Sequence, residues 1–310
     1  MMAAPARSLP TGSPARPHAW RGPRWRRRLT GAALSTLLYV VLAIFFIPTL
    51  WIVLTSLRPN VEINASPPVW IPHSLTLDSF RALFSPGLNN ESVPFTSYLT
   101  NSVVVALVST GAALTTGTLA GYAFSRFRFR GDTLLFLGLM LARGVPGVAL
   151  GLPLFVIFAH LGLIDRVWGL MIAYTALNVP FTTWLMDGFF RDVPAELDDA
   201  ARVDGCSRWQ TFWHIDLPLA AAGMAASGIF AFLTSWNEFQ LASLLTSTTA
   251  AKTFPVGLFD FTSEFTVDWR GMCAMSVVML IPAVVFVVVV QRNLIRGLTS
   301  GAVKYGRMPS

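Results

Sequence analysis

Few residues in this 310-residue chain could catalyse a reaction or bind a metal ion. Its four histidines and two cysteines are scattered, without the spacing of metal ligands. It contains neither the G-x-x-x-x-G-K-[ST] loop that holds nucleotide phosphates nor the H-E-x-x-H and G-x-S-x-G patterns of metalloproteases and serine hydrolases. The sequence therefore predicts no catalytic residue, no metal site and no cofactor bound by this chain.

The most informative spacing lies in the loop at residues 191–218. Pro194 suits the first turn of a helix, where its missing N–H costs nothing, and Glu196 favours the positive helix end. Gly205 is the residue type that best accepts the left-handed conformation after a helix. Ser207, with a glutamine three residues later, has the spacing of a capping box and predicts a second helix. The loop should form two short helices joined at a glycine corner.

A helix of about ten residues is marginal in water by itself, so the first of these helices needs a partner. It either folds against the membrane surface as a connector or docks on a cytoplasmic protein. The local signals alone leave both alternatives open.

The elements around this loop are predicted to cross a membrane. Hydrophobic residues make up 54% of the chain and charged residues 13%, whereas soluble domains are roughly one quarter charged. The apolar residues form blocks near the length that crosses a bilayer as a helix. Six spans are predicted, at Leu29–Leu57, Leu99–Phe124, Thr133–Leu161, Val167–Phe190, Leu219–Thr246 and Met272–Leu294. Gly117 and Gly121 have the spacing of small residues at close helix contacts.

The distribution of positive charge predicts the orientation of the spans. Seven arginines and no acidic residue precede Leu29, and Arg126, Arg128 and Arg130 follow the second span. Positive residues concentrate on the cytoplasmic side, so both termini should be cytoplasmic. Topology accounts for the net charge of +7, and no nucleic-acid partner is needed.

These signals divide the chain into segments. They are a disordered basic cytoplasmic tail at 1–28, the first transmembrane helix at 29–57, an extracytoplasmic loop at 58–97, a core of five further spans at 98–294 that includes the loop at 191–218, and a cytoplasmic tail at 295–310.

The loop at 191–218 resembles a known signature. Three residues separate Asp199-Ala200-Ala201 from Gly205, and nine residues separate Gly205 from Ile215-Asp216-Leu217-Pro218. This resembles the E-A-A, three residues, G, nine residues, I-x-L-P loop of ABC-importer permeases. Asp199 replaces the usual glutamate, which keeps the charge on a shorter side chain.

The resemblance extends over most of the chain and points to maltose-type carbohydrate permeases. The matching segments are Trp70–Pro72, Leu75–Asp78, Tyr98 with Asn101–Ser102, Ala120–Arg126, Trp236–Phe239, and Gln291 with Gly297–Lys304. The N-terminal tail and the residues from Tyr305 onwards lie outside it.

The resemblance implies an all-α, type I ABC-importer permease fold with six spans and a cytoplasmic coupling helix. It also implies a second permease subunit, two copies of an ABC ATPase that bind ATP and Mg, an extracytoplasmic sugar-binding protein and a lipid bilayer. Carbohydrate would move inward, driven by hydrolysis in the separate ATPase. The chain itself is then not an enzyme.

Two sets of residues are candidates for function. Those for contact with the ATPase are Pro194, Glu196, Leu197, Asp199, Ala200, Ala201, Gly205, Ile215, Leu217 and Pro218. Those for lining or gating the sugar path are Arg143, Trp236, Asn237 and Glu238, because polar residues inside a membrane are costly and often functional. The alternative for this second set is that they fix the packing of neighbouring helices.

Three other functions remain open. The same machinery could carry a polyamine, an osmolyte or glycerol-phosphate. A self-contained secondary transporter or channel with six spans would not need the pattern at 199–218. A membrane enzyme would need a nucleophile or metal constellation that the sequence lacks.

Overall fold

The computed structural model describes residues 24–67, 69–70, 72–85, 93–263 and 266–302. Regular structure in this part is helical, apart from one isolated bridge between Thr262 and Val267. The predicted all-α fold class is therefore confirmed. Of the tail predicted at 1–28, the first 23 residues lie outside the described residues, as do residues 303–310.

The first predicted span forms one long helix, α1 (Arg24–Ser56). It begins before the predicted Leu29, and its stretch Ala32–Ser56 is long and apolar enough to cross a membrane. The loop predicted at 58–97 holds two short helices, α2 (Asn60–Ile63) and α3 (Asp78–Phe84). The second predicted span lies within α4 (Phe95–Arg126).

The third predicted span is wrong as a single helix. Residues 132–160 form α5 (Asp132–Gly144) and α6 (Gly147–His160), which meet at an angle of 100°. The break falls at Val145, whose backbone is extended at ψ 125°. The next residue is Pro146, and a proline disfavours the helical conformation of the residue before it.

The fourth predicted span is a single helix, α7 (Val167–Arg191). Its buried face carries polar side chains, including Asn178, which is 1% exposed. Asn178 Nδ2 donates to Ser235 Oγ at 3.0 Å, and Ser109 Oγ donates to the same oxygen at 3.0 Å. These bonds join α7 to α4 and to the fifth span. A helix enclosed by neighbours needs less apolar surface than one that faces lipid.

The predicted loop after α7 leads into a broken fifth span. Its elements are α8 (Ala195–Val203), α9 (Arg208–Thr211), a π-helical turn (Phe212–Asp216), α10 (Leu217–Leu219) and α11 (Ala221–Trp236). The segment Arg208–Leu219 is bent by 73° relative to α11. The prediction that one helix runs from Leu219 to Thr246 is wrong, since α11 ends at Trp236 and α12 (Gln240–Leu245) follows.

The last predicted span belongs to α14 (Trp269–Ala302), which continues past the predicted end at Leu294. Before it lie α13 (Phe254–Gly257) and a 3-10 turn (Leu258–Phe261). Judged by length and apolarity, α1, α4 and α14 could each cross a membrane. If α5 with α6, and the segment Arg208–Leu219 with α11, each count as one bent span, the described residues contain up to five candidate spans. Of the six predicted spans, the one that these criteria leave out is α7, whose buried face is polar.

Helices α4 and α7 pack closely because α4 presents glycines to α7. A Cβ added at Gly121 would lie 2.8 Å from both Asp187 N and Met186 Cβ. One added at Gly117 would lie 2.6 Å from Thr182 Cβ. The contact predicted from the spacing of these glycines is confirmed, and it places α7 against the helix that ends at Arg126.

We expect Gly121→Ala to destabilise the protein by about 1–3 kcal/mol, because the added methyl group must push the α7 backbone away. The measurement is the thermal unfolding midpoint of the purified protein in detergent. Gly111→Ala on the same helix is the control, since nothing lies within 4 Å of a Cβ there. Equal melting of the two variants would contradict the packing argument.

Candidate functional site

The candidate site is built around helix α8. Pro194 precedes the helix with φ −58° and ψ 129°, and its carbonyl accepts a hydrogen bond from Leu197 N at 3.2 Å. Glu196 and Asp198 lie in the first turn, where negative charge is favourable. The start predicted from the proline is confirmed.

Helix α8 ends in a left-handed glycine corner. Gly205 has φ +87°, a conformation that most residues adopt only with strain. Cys206 N donates to Ala201 O at 2.9 Å, and Gly205 N donates to Arg202 O at 3.1 Å. These two bonds form a Schellman motif, which satisfies carbonyls at the helix end. The predicted corner is confirmed, and it fixes the direction in which the chain leaves α8.

The second short helix starts where the capping box predicts. Ser207 N donates to Gln210 Oε1 at 2.7 Å, and Gln210 N donates to Ser207 Oγ at 3.3 Å. The π-helical turn follows immediately and ends two residues before Pro218. Pro218 has no N–H for a helical hydrogen bond, so a change of helix geometry near it is expected.

One arginine connects α8 to the rest of the bundle. Arg126 Nε lies 3.0 Å from Asp198 Oδ2 on α8, and Arg126 Nη2 donates to Asp216 Oδ1 in the π-helical turn at 2.8 Å. The same Nη2 donates to Val193 O at 3.2 Å. The side chains of Arg126, Asp198 and Asp216 are 12%, 14% and 0% exposed, so we call them the buried ion cluster.

Aromatic rings pack beside the buried ion cluster, since Tyr122 lines a cavity together with Arg126 and Asp198. The Tyr122 ring lies 4.7 Å from the Phe212 ring and 5.4 Å from the Phe190 ring, measured between centroids. Burial, followed by the negative charge of Asp216, raises the pKa of Asp198, while the Arg126 guanidinium opposes this effect. In such surroundings the ion pairs are screened much less than they would be at an exposed surface.

The residues predicted to contact the ATPase differ in how far they are exposed to solvent. Ala201 is 4% exposed and faces the bundle. Ile215 and Leu217 are half-buried. The exposed members are Pro194, Glu196, Leu197, Asp199, Ala200, Gly205 and Pro218. Asp199 pairs with Arg202 one turn along α8 at 2.6 Å and makes no ion pair with a span among the described residues.

The sequence interpretation missed the buried ion cluster. Arg126 was counted among the positive charges that set orientation and within the matching segment Ala120–Arg126. Asp198 lies just before the signature, and Asp216 occupies its unspecified position between Ile215 and Leu217. Asp216 did carry a signal, because it stands between the apolar Ile215 and Leu217. A carboxylate there needs a cationic partner once the segment is buried.

The residues predicted for the sugar path do not form one group. The Trp236 ring is 2% exposed, stacks on Phe232, and donates from Nε1 to Met279 O at 3.2 Å. It therefore packs between helices and has no free face for a sugar in this conformation. The Glu238 carboxylate accepts from the N–H groups of Leu241 and Ala242, at 2.9 and 3.1 Å, and caps α12.

Arg143 lies apart from Glu238, at the end of α5. Its guanidinium carbon stands 4.6 Å from the centroid of the Phe181 ring and 4.9 Å from that of Phe230. It borders a cavity of about 450 Å³ that Pro180 and Thr234 also line. Among the described residues, no carboxylate lies within ion-pair distance of Arg143. Asn237 is exposed, and its amide donates to Leu233 O.

Known proteins share both the sequence and the fold of this chain. The probable ABC transporter permease protein y4oR of Sinorhizobium fredii is 37% identical, over 89% of this chain and 97% of its own length. The trehalose transport system permease protein SugB of Mycobacterium tuberculosis is 37% identical over 90% and 98%. A crystal structure of a bacterial ABC transporter involved in the import of the acidic polysaccharide alginate matches with a TM-score of 0.71 and 21% identity, covering 86% of this chain and 96% of that one.

A family model matches residues 113–300, which include α5 to α12, the buried ion cluster and the glycine corner. Its description is the inner membrane component of binding-protein-dependent transport systems. The helical structure, the membrane-spanning helices and the match to an importer permease agree with it. This chain belongs to the family of inner membrane components of binding-protein-dependent transport systems, and it has the type I ABC-importer permease fold.

Proposed function

We propose that this chain is one permease subunit of an ABC importer that moves a sugar or oligosaccharide inward. Two copies of a partner ATPase bind ATP and Mg and supply the energy, a second permease completes the path, and an extracytoplasmic protein delivers the sugar. Support for a carbohydrate comes from SugB, a trehalose permease that is similar over nearly the whole chain, and from the signature segments of the sequence.

The observation that carries this proposal is the exposed apolar surface of α8. Val203 is 88% exposed, and the exposed Ala200 lies three residues before it on the same face, although α8 is outside the spans. The opposite side of the helix is anchored by Ala201 and Asp198, and Leu197, one turn before Ala201, is 41% exposed at the edge of that anchored side. A short helix held on one side, with apolar residues free on the other, suits insertion into a groove of another protein. We propose that α8 is the coupling helix and that this groove belongs to the ATPase.

The same contacts support an orientation for the chain. Arg126, which ends the second span, touches α8, so the basic segment Arg126–Arg130 and α8 lie at one end of the bundle. Positive residues favour the cytoplasmic side. We propose that this end is cytoplasmic, where an ATPase would meet α8, and that both termini are cytoplasmic.

We propose that Arg143 contacts the sugar along its path through the membrane. Its guanidinium stacks on two aromatic rings, which leaves the N–H groups at its edge available for the oxygen atoms of a solute. Exposed Asn237 remains a second candidate, whereas the contacts of Trp236 and Glu238 favour roles in packing and helix capping.

Val203→Asp should reduce co-purification of the ATPase with the tagged permease by at least about tenfold. A difference of roughly 1.4 kcal/mol corresponds to tenfold in affinity, and burying an unpaired carboxylate in an apolar groove costs more than this. The measurement is the amount of ATPase recovered from native membranes in mild detergent. Val61→Asp, at an equally exposed valine on α2, is the matched control and should leave recovery unchanged. Full recovery with Val203→Asp would argue against α8 as the docking element.

Gly205→Val should impair ATP-driven uptake, because a β-branched residue at φ +87° strains the corner by about 1–2 kcal/mol. No atom lies within 4 Å of a Cβ at this position, so the effect would come from the backbone and not from crowding. Gly205→Asn should retain more uptake, since asparagine enters the left-handed region more readily. Uptake and ATP hydrolysis are measured together in vesicles that contain the whole transporter. Normal coupled transport by Gly205→Val would contradict the assigned role of the corner.

Arg143→Gln should raise the KM for uptake of the sugar that the cognate binding protein carries, with the amount of assembled transporter unchanged. The loss of charge removes hydrogen bonds of about 1.5–3 kcal/mol each to a solute oxygen. Arg81→Gln, at an exposed arginine of α3, is the control. If Arg143→Gln matches the wild type in KM and maximal rate, Arg143 does not contact the solute.

A further inference from the structure

We infer that Arg126 is a positioning residue that ties the coupling helix to the second and fifth spans at the same time, through Asp198 and Asp216. This inference rests on the proposed function, because it gives α8 its role as the coupling helix. It concerns how movement of α8 reaches the bundle, and not how α8 binds its partner.

The buried ion cluster joins three separate elements. Arg126 is the last residue of α4, Asp198 belongs to α8, and Asp216 ends the π-helical turn that leads through α10 into α11. Different nitrogens of the guanidinium serve the two acids, Nε for Asp198 at 3.0 Å and Nη2 for Asp216 at 2.8 Å. The planar fork of arginine allows this double pairing, whereas the single ammonium group of lysine would not reproduce it.

The Asp198–Arg126 pair is the charged contact through which α8 can pull on a span, beside the apolar contact of the buried Ala201. Within the described part of the chain, Asp198–Arg126 is the sole ion pair between α8 and a span, since Asp199 pairs inside the helix. A cavity of about 220 Å³ lies beside it, between α8 and the end of α4, with Ser125 and Arg202 in its lining. Because this space is not filled by packed side chains, the ion pair bridges α8 and the end of α4 at its edge.

The cluster is held from more than one side, while Arg126 Nε, Asp198 Oδ1 and Asp216 Oδ2 are buried without a hydrogen-bond partner in the described part of the chain. The Asp216 side chain is fully buried, and the neighbouring Phe212 belongs to an apolar cluster with Phe190 and Tyr122. Arg126 also donates to Val193 O, in the connection between α7 and α8. A displacement of α8 therefore pulls on Arg126, and Arg126 is fixed to the start of the fifth span.

The test uses an exposed thiol that lies next to the coupling helix. Cys206 is exposed and follows the glycine corner, and Cys273→Ser leaves it as the single cysteine of the chain. A nitroxide spin label on Cys206, in the transporter held in lipid nanodiscs, reports the mobility of α8. Asp198→Asn should increase the mobility of the label, because the tie to Arg126 is lost. The control Asp204→Asn removes a carboxylate from the exposed end of the same helix and should leave the mobility unchanged.

The second readout is the amount of sugar transported per ATP hydrolysed. Asp198→Asn and Arg126→Gln should each lower this ratio by roughly 2- to 30-fold, the range found when coupling elements are altered. ATPase recovery should remain normal, since the docking surface is intact. Asp198→Glu, which keeps the charge, should give a ratio of sugar transported to ATP hydrolysed close to that of the wild type. A purely structural role would instead lower the yield of assembled transporter without changing the ratio in the molecules that assemble.

Two results would overturn the inference. One is wild-type label mobility in both Asp198→Asn and Arg126→Gln. The other is an unchanged transport ratio in variants whose label has become mobile. The proposed function fails separately, if the wild-type chain purifies without an ATPase. The label experiment on the purified chain then still shows whether Arg126 holds α8.

Discussion

The arrangement of the functional end of this protein depends on one arginine that is shared by two buried carboxylates. Removing one partner of a buried ion pair typically costs about 3–5 kcal/mol, because the other charge is left without compensation. Arg126, Asp198 and Asp216 come from three elements that the sequence separates by up to 90 residues. Their pairing decides where α8 lies relative to the spans, and the glycine corner at Gly205 then decides where the chain goes next.

The features that the sequence predicted are those that depend on local chemistry. The start of α8 after Pro194, the left-handed Gly205 and the capping box at Ser207 each involve residues only a few positions apart. The apolar blocks likewise predicted an all-helical membrane fold, and the signature loop predicted the family. Short-range rules of this kind hold because the backbone groups of a helix end must be satisfied nearby.

Three features lay beyond such rules. The 100° bend at Val145 and the end of α11 at Trp236 fall inside stretches that are apolar on average, with Arg143 beside the first break and Asn237 and Glu238 after the second. Hydropathy averaged over a span does not locate such breaks. Pro146 was a visible signal for the first break, but prolines also occur inside continuous helices, as Pro180 does in α7. The buried ion cluster needed tertiary contacts, since nothing in the spacing of Arg126 and Asp216 indicates that they meet.

The hydrogen bonds that converge on Ser235 have a consequence for how the helices can move. Ser109 and Asn178 reach the same oxygen from α4 and α7, inside an apolar environment where a broken hydrogen bond finds no water to replace it. Sliding any one of these helices by a single turn, about 5.4 Å, would break the register of all three. Large sliding motions among these helices are therefore disfavoured, and rotation of α4, α7 and α11 together as one rigid body preserves every bond.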